Sequence, residues 1–165
     1  TCQGSKLQPG DGTQNPNGAC FQTQMGETPA KGKMVSTVIT NPQNGQTLGA
    51  NQAFTVTARV SNLNTGFFSD PAKAYYTKSQ SLGNNGQING HSHITIQQLN
   101  GNNPPDPNVF AFFKGLNDPA NGQGDLSVAV ANGLPPGNYR ICTMASSESH
   151  QPVLMPVAQR GAQDD

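Results

Sequence analysis

The sequence predicts an all-β fold, an antiparallel β-sandwich of immunoglobulin- or fibronectin-like kind, and three observations carry that prediction. Segments such as Phe54-Thr55-Val56-Thr57-Ala58-Arg59-Val60 alternate apolar and polar residues with a period of two, the pattern of a half-buried strand. Asn-Gly occurs at positions 17, 44, 85, 89, 100, 121 and 132, and it is the favoured dipeptide where a turn needs positive φ. No stretch sustains a 3.6-residue apolar stripe between helix caps. A chain of 165 residues with 33% hydrophobic content is enough for one sandwich-sized core, so one domain is expected.

Taken in order, residues 1–33 carry Gly4, Pro9, Gly10, Gly12, Pro16, Gly18, Gly26, Pro29 and Gly32 with almost no apolar pattern. They read as an irregular N-terminal arm pinned by a disulfide, with Thr1 expected to be a processed end. A Cys2–Cys20 bridge closes a short loop, worth roughly 3 kcal/mol by chain entropy. A bridge from either residue to Cys142 ties the arm to the sandwich instead, and the sequence leaves the choice open. Three cysteines leave one thiol without an intrachain partner.

Residues 34–165 form the predicted sandwich. Val35 to Thr40 is rich in β-branched residues, Asn41-Pro42-Gln43-Asn44-Gly45 supplies a turn, and Phe54 to Val60 follows as a strand. Further strands are expected over Ala74–Thr77, His91–Leu99, Val109–Phe113, Leu126–Val130, Tyr139–Met144 and Val153–Val157. The first of these also reads as a short helix, with Asp70 as cap and Pro71 in the first turn. Leu134-Pro135-Pro136-Gly137-Asn138-Tyr139 resembles a tyrosine corner, in which the phenol bonds back to the preceding turn. The expected core comprises Phe54, Val56, Ile94, Ile96, Leu126, Val128, Tyr139 and Ile141.

Composition excludes several functions. Only 11% of residues are charged, and nine basic side chains balance nine acidic ones, so no electrostatic footprint exists for nucleic acid or an anionic membrane. The apolar stretches are too short to cross a bilayer. In place of charge stand 18 Asn, 16 Gln, 19 Gly and 13 Pro, a secreted, extracellular look with no N-glycosylation sequon. No Gly-x-Ser-x-Gly elbow, His-Glu-x-x-His or phosphate-binding Gly loop is present. Asp70, Asp106, Asp118, Asp125 and Glu148 sit in or near turns, where a capping or surface role fits better than a glycosidase pair.

The chemistry concentrates in His91-Ser92-His93-Ile94-Thr95-Ile96-Gln97. Period two puts Ile94 and Ile96 on the core face and His91 and His93 together on the other, about 7 Å apart along the strand. The remaining histidine is His150, in Ser146-Ser147-Glu148-Ser149-His150-Gln151-Pro152. If that loop folds over the strand, the three imidazoles form a Cu or Zn site, with Glu148 as an accessory ligand. Both motifs read as polar and exposed, and two histidines on a polar strand are also ordinary surface residues. The pairs Phe67-Phe68 and Tyr75-Tyr76, and Phe110, Phe112 and Phe113, read as core rather than as sugar platforms.

Residues 41–48, 90–97, 106–115 and 137–157, with the segments Gly90-His91-Ser92-His93 and His150-Gln151-Pro152-Val153 among them, resemble a group of small secreted, mostly uncharacterised proteins of filamentous, chiefly mushroom-forming fungi. The resemblance runs from about residue 34 to the end. It implies a fungal extracellular protein, brings no activity with it, and implies a cysteine beyond Asp165 as the partner of Cys142. The leading expectation is a non-enzymatic cell-surface or matrix protein. Its uncharged Asn, Gln, Ser and Thr surface suits a neutral polysaccharide of the cell wall, and its edge strands suit self-association. The alternative is a metalloprotein, or a metal-dependent enzyme, using His91, His93 and His150.

Overall fold

A computed structural model describes residues 2–165. Eight strands follow in order: β1 (Ser36–Asn41), β2 (Phe54–Ser61), β3 (Leu63–Asn64), β4 (Ile88–Gln98), β5 (Phe112–Leu116), β6 (Asp125–Val130), β7 (Tyr139–Thr143) and β8 (Ser146–Ser147). The described residues contain no α-helix, only a 3-10 turn over Lys31–Lys33. Among the described residues no helix is therefore long and apolar enough to cross a membrane.

The strands form two sheets. In the first, β2 lies between β1 and β6 and pairs antiparallel with both. The second is built on the eleven-residue β4. Ile94, Thr95 and Ile96 of β4 pair with both β5 and β7, so those strands occupy opposite edges. β7 and β8 share one register against β4, from Ile94↔Thr143 to Gly90↔Ser147, and reciprocal His93–Met144 backbone bonds bridge the gap between them. They are one interrupted strand. β3 adds a short parallel pairing at the start of β4.

Period two explains why these residues face one another. Val56, Ala58 and Val60 of β2, with Leu126 and Val130 of β6, cluster with Ile88, Ile94 and Ile96 of β4 and Leu116 of β5. Phe54, Val128, Tyr139 and Ile141 pack around that cluster, completing the core expected from sequence. The Tyr139 hydroxyl donates to the Pro135 carbonyl at 3.0 Å, the bond expected at the corner.

Several expectations fail for identifiable reasons. Ala74–Thr77 forms turns, not a strand: Asp70 O accepts from both Lys73 N and Ala74 N, its carboxylate caps Ala72 N, and Tyr76 has φ +55°. Val153–Val157 lacks strand pairing because Pro152 and Pro156 remove donors from any ladder, and a single Ser146↔Pro152 bridge survives. The strand expected over Val109–Phe113 slides to Phe112–Leu116, since Val109 N closes a turn on Asp106 O. Phe110 and Phe113 are exposed, and only Phe112 packs on the core. Of the Asn-Gly pairs, Asn89-Gly90 lies inside β4, where a Cβ on Gly90 would stand 2.0 Å from Ser146 O. That glycine is needed for close approach of two strands.

The arm is cross-linked by Cys2–Cys20, and Cys142 on β7 is a free, half-buried thiol. Buried Gln80 fastens the arm to the rest. Its amide donates to Glu27 O and Leu154 O, and its Oε1 accepts from Leu154 N. Phe21 of the arm packs edge-on against Tyr75 and Tyr76.

Candidate metal centre

β4 carries two chemically opposite faces. Ile94 and Ile96 point into the core, and His91 and His93 point away from it. On that second face lie two segments without regular structure. The extended stretch 65–70 is held by Phe67 N bonding to Gly90 O and Ser69 N to Glu148 O. The turn bearing His150 is closed by His150 N on Ser147 O and Ser147 N on Gln151 O. Buried Ser149 fixes this turn against the chain at Lys78, accepting from Lys78 N and donating to Lys78 O. The outcome is that one ring nitrogen from each of His91, His93 and His150 lies within 4.8 Å of the other two.

The two motifs are not exposed, contrary to the sequence reading. His91 is 0% exposed and His93 8%, because segment 65–70 and the His150 turn cover the strand. Neither cover has a periodic signature in sequence.

Each ring is oriented by a backbone carbonyl. His91 Nδ1 meets Phe67 O at 2.9 Å, His93 Nδ1 meets Met144 O at 3.1 Å, and His150 Nε2 meets Ser69 O at 2.8 Å. A carbonyl only accepts, so those three nitrogens carry the protons and the neutral rings keep lone pairs at His91 Nε2, His93 Nε2 and His150 Nδ1. Two of these lone pairs confront each other: His91 Nε2 and His150 Nδ1 are 3.3 Å apart. The His91–His150 pair makes three polar contacts, yet two neutral imidazoles supply only two N–H groups. The pair is one positive charge short.

The His91 and His93 rings resist taking up that proton. Burial first, and then neighbouring His93, lower His91 to about 4. Burial likewise lowers His93, against the opposing bond from Met144 O. Unprotonated imidazoles fixed in one tautomer by outer carbonyl bonds are the form in which histidine binds metals. Glu148 stands apart from the nitrogen cluster. Its carboxylate is bonded by the Lys78 ammonium and by Ser69 Oγ, which together hold it below the usual carboxylate range.

The site opens into a cleft of about 590 Å³. Phe68 stands edge-on to both His91 and His150, at 5.3 and 5.5 Å between ring centres. Tyr75 and Tyr76 stack at 4.1 Å on the His150 side, and Phe113 stacks on His93 at 5.5 Å. These residues, read from sequence as core, wall the site instead. Burial pushes the Tyr75 phenol up to about 12, with Tyr76 adding to the effect, so it is a neutral wall and not an anionic ligand. Asp164 also lines the cleft, its carboxyl raised by burial although Thr143 Oγ1 and Ala145 N donate to it. Sequence reasoning passed over Asp164 because it lies far along the chain, in a segment without pattern. Two non-glycine residues with positive φ, Tyr76 (+55°) and His150 (+77°), sit at this site, where backbone strain is typically tolerated for function.

The CLU5d N-terminal domain family matches residues 37–165, which include all three histidines. This chain belongs to that family. A relative, the Pathogenicity cluster 5 protein d of Colletotrichum graminicola, is 48% identical over 168 residues, covering 99% of this chain. The chain spans about a third (35%) of that relative's length. The group is thus fungal as expected, although it is not confined to mushroom-forming species, and it includes a protein much longer than this chain. No solved structure matches the chain.

Proposed function

We propose that this domain binds one divalent late first-row metal ion, Zn or Cu, through His91 Nε2, His93 Nε2 and His150 Nδ1. The observation that carries the reading is the lone-pair confrontation of His91 Nε2 and His150 Nδ1 at 3.3 Å. Two nitrogens on one tetrahedral ion, with bonds of about 2.0–2.1 Å, stand about 3.3–3.4 Å apart. One ring nitrogen of each histidine lies within 4.8 Å of the others, so no pair of those nitrogens has to close by more than about 1.5 Å to reach that spacing. Three neutral donors would leave the ion its full charge, and since His93 and His150 line the cleft, a further ligand would reach the ion from that side, as in a reactive rather than a purely structural site. Protein dialysed against Zn or Cu and then desalted should carry one equivalent by elemental analysis. His150→Ala and His93→Ala should carry almost none, and retention of a full equivalent by both variants would refute the reading.

A second reading, glycan binding by a secreted wall or matrix protein, is favoured by a groove of about 470 Å³ on another part of the surface. There Phe110, 53% exposed, stands among Gln98, Asn100, Asn103 and Asp106. The Cys2–Cys20 bridge supports an oxidising, extracellular location. Sedimentation with insoluble β-glucan or chitin tests it, and Phe110→Ala should abolish any retention.

A further inference from the structure

The cleft over the histidines has a composition that narrows what it can hold. Phe113, His93, His150, Tyr75 and Tyr76 form a row of ring faces, each tilted by 27–33° to the next. The polar lining is limited to Gln14, Asn117, Ser146, Asp164 and the Tyr75 and Tyr76 hydroxyls besides the histidines, and among the described residues no Lys or Arg lines the cleft. Phosphates and sugar acids therefore find no cationic side chain there. A neutral sugar presents hydroxyls around its whole rim, and much of that rim would face Phe68, Pro71, Phe113, Met144 and Pro152 without partners. Asn117 Oδ1 is buried without a hydrogen bond and so offers a ligand no exposed acceptor, which leaves the histidine nitrogens as the main polar target in the cleft. A matching ligand is flat and apolar over most of its surface and carries a hydroxyl at one edge. The volume of about 590 Å³ lies within the range for drug-sized molecules.

We infer that the cleft binds a small phenolic compound, an aromatic ring with one or two hydroxyls, its ring against Phe113 and Tyr75 and a hydroxyl oxygen directed at the ion. The inference rests on the metal reading above. Charge complementarity supports it: an ion on three neutral imidazoles keeps its positive charge, and one oxygen donor of anionic character offsets part of it.

The test uses the full chain loaded with Zn or Cu, its metal content measured first, and 4-nitrocatechol as the probe, whose absorption shifts when its oxygens meet a metal. The expected result is saturable binding at one probe per chain. Metal-free protein should bind at least about tenfold more weakly. Phe113→Leu and Tyr75→Leu, which keep bulk but remove the ring, should each weaken binding by about three- to tenfold with metal content unchanged. Neither 1,2-cyclohexanediol nor a neutral gluco-oligosaccharide should compete. Unchanged affinity in both leucine variants, or displacement by the oligosaccharide at similar concentration, overturns the phenolic assignment while leaving the metal centre standing. A chain that takes up no metal overturns both.

Discussion

Substituting His91 with Gln in metal-free protein should flatten the acid limb of the stability curve. His91 has no exposed surface, and burial with the neighbouring His93 lowers it from 6.5 to about 4. Unfolding exposes the ring and restores its ordinary affinity for protons, so the unfolded chain binds more protons than the folded one between these values. The contribution of neutral His91 is therefore fully present above pH 6.5 and is lost as pH falls from 6.5 toward 4. Integrating between pH 7 and pH 4.5 gives a loss of about 2.4 kcal/mol from this one group. His93, also lowered by burial, adds to the loss in the same direction. Urea unfolding of EDTA-treated protein at the two pH values measures the difference. The parent should lose about 2 kcal/mol more than His91→Gln on acidification, because the carboxylate contributions are common to both. Parallel pH profiles for parent and variant would refute the proposition that His91 is held neutral by its surroundings.

Other consequences follow from single contacts. Tyr139→Phe deletes the 3.0 Å bond to Pro135 O and should cost about 1 kcal/mol in urea unfolding, with metal content unaffected. Gly90→Ala drives a Cβ to 2.0 Å from Ser146 O, parting β4 from β8, and should lower stability by about 1–3 kcal/mol and reduce metal uptake together. At His150, with φ +77°, Gly relieves a strained backbone whereas Ala does not; metal-free His150→Gly should be more stable than His150→Ala by about 1 kcal/mol, and neither should hold metal. Glu148→Gln should still bind one equivalent, since that carboxylate is engaged by Lys78 and Ser69 rather than by the histidine cluster.

What the sequence made legible was set by local periodicity. The alternation of His91, His93, Ile94 and Ile96 placed two imidazoles on one face and two isoleucines in the core, and both placements hold in β4. The tyrosine corner was readable because its bond spans only four residues. The covering of that face was not readable, because it depends on carbonyls of Phe67 and Ser69 that reach His91 and His150 over 24 and 81 positions of irregular chain. Burial of the histidines, which creates the proton shortage, follows from those same distant contacts. The aromatic residues misled for a related reason. Phe68 and Phe113 looked like core by hydrophobicity, yet with Tyr75 and Tyr76 they pack against imidazoles, while the fully buried centre of the sandwich is aliphatic and only Phe54, Phe112 and Tyr139 pack around it as aromatics.

X-ray absorption at the metal edge of the Zn- or Cu-loaded protein tests the central claim most directly. The predicted spectrum has three imidazole nitrogens at about 2.0–2.1 Å and one further light-atom ligand from the open position, and it collapses in His93→Ala. A first shell containing sulfur from Cys142, or a three-nitrogen shell that survives loss of His93, would contradict the assignment.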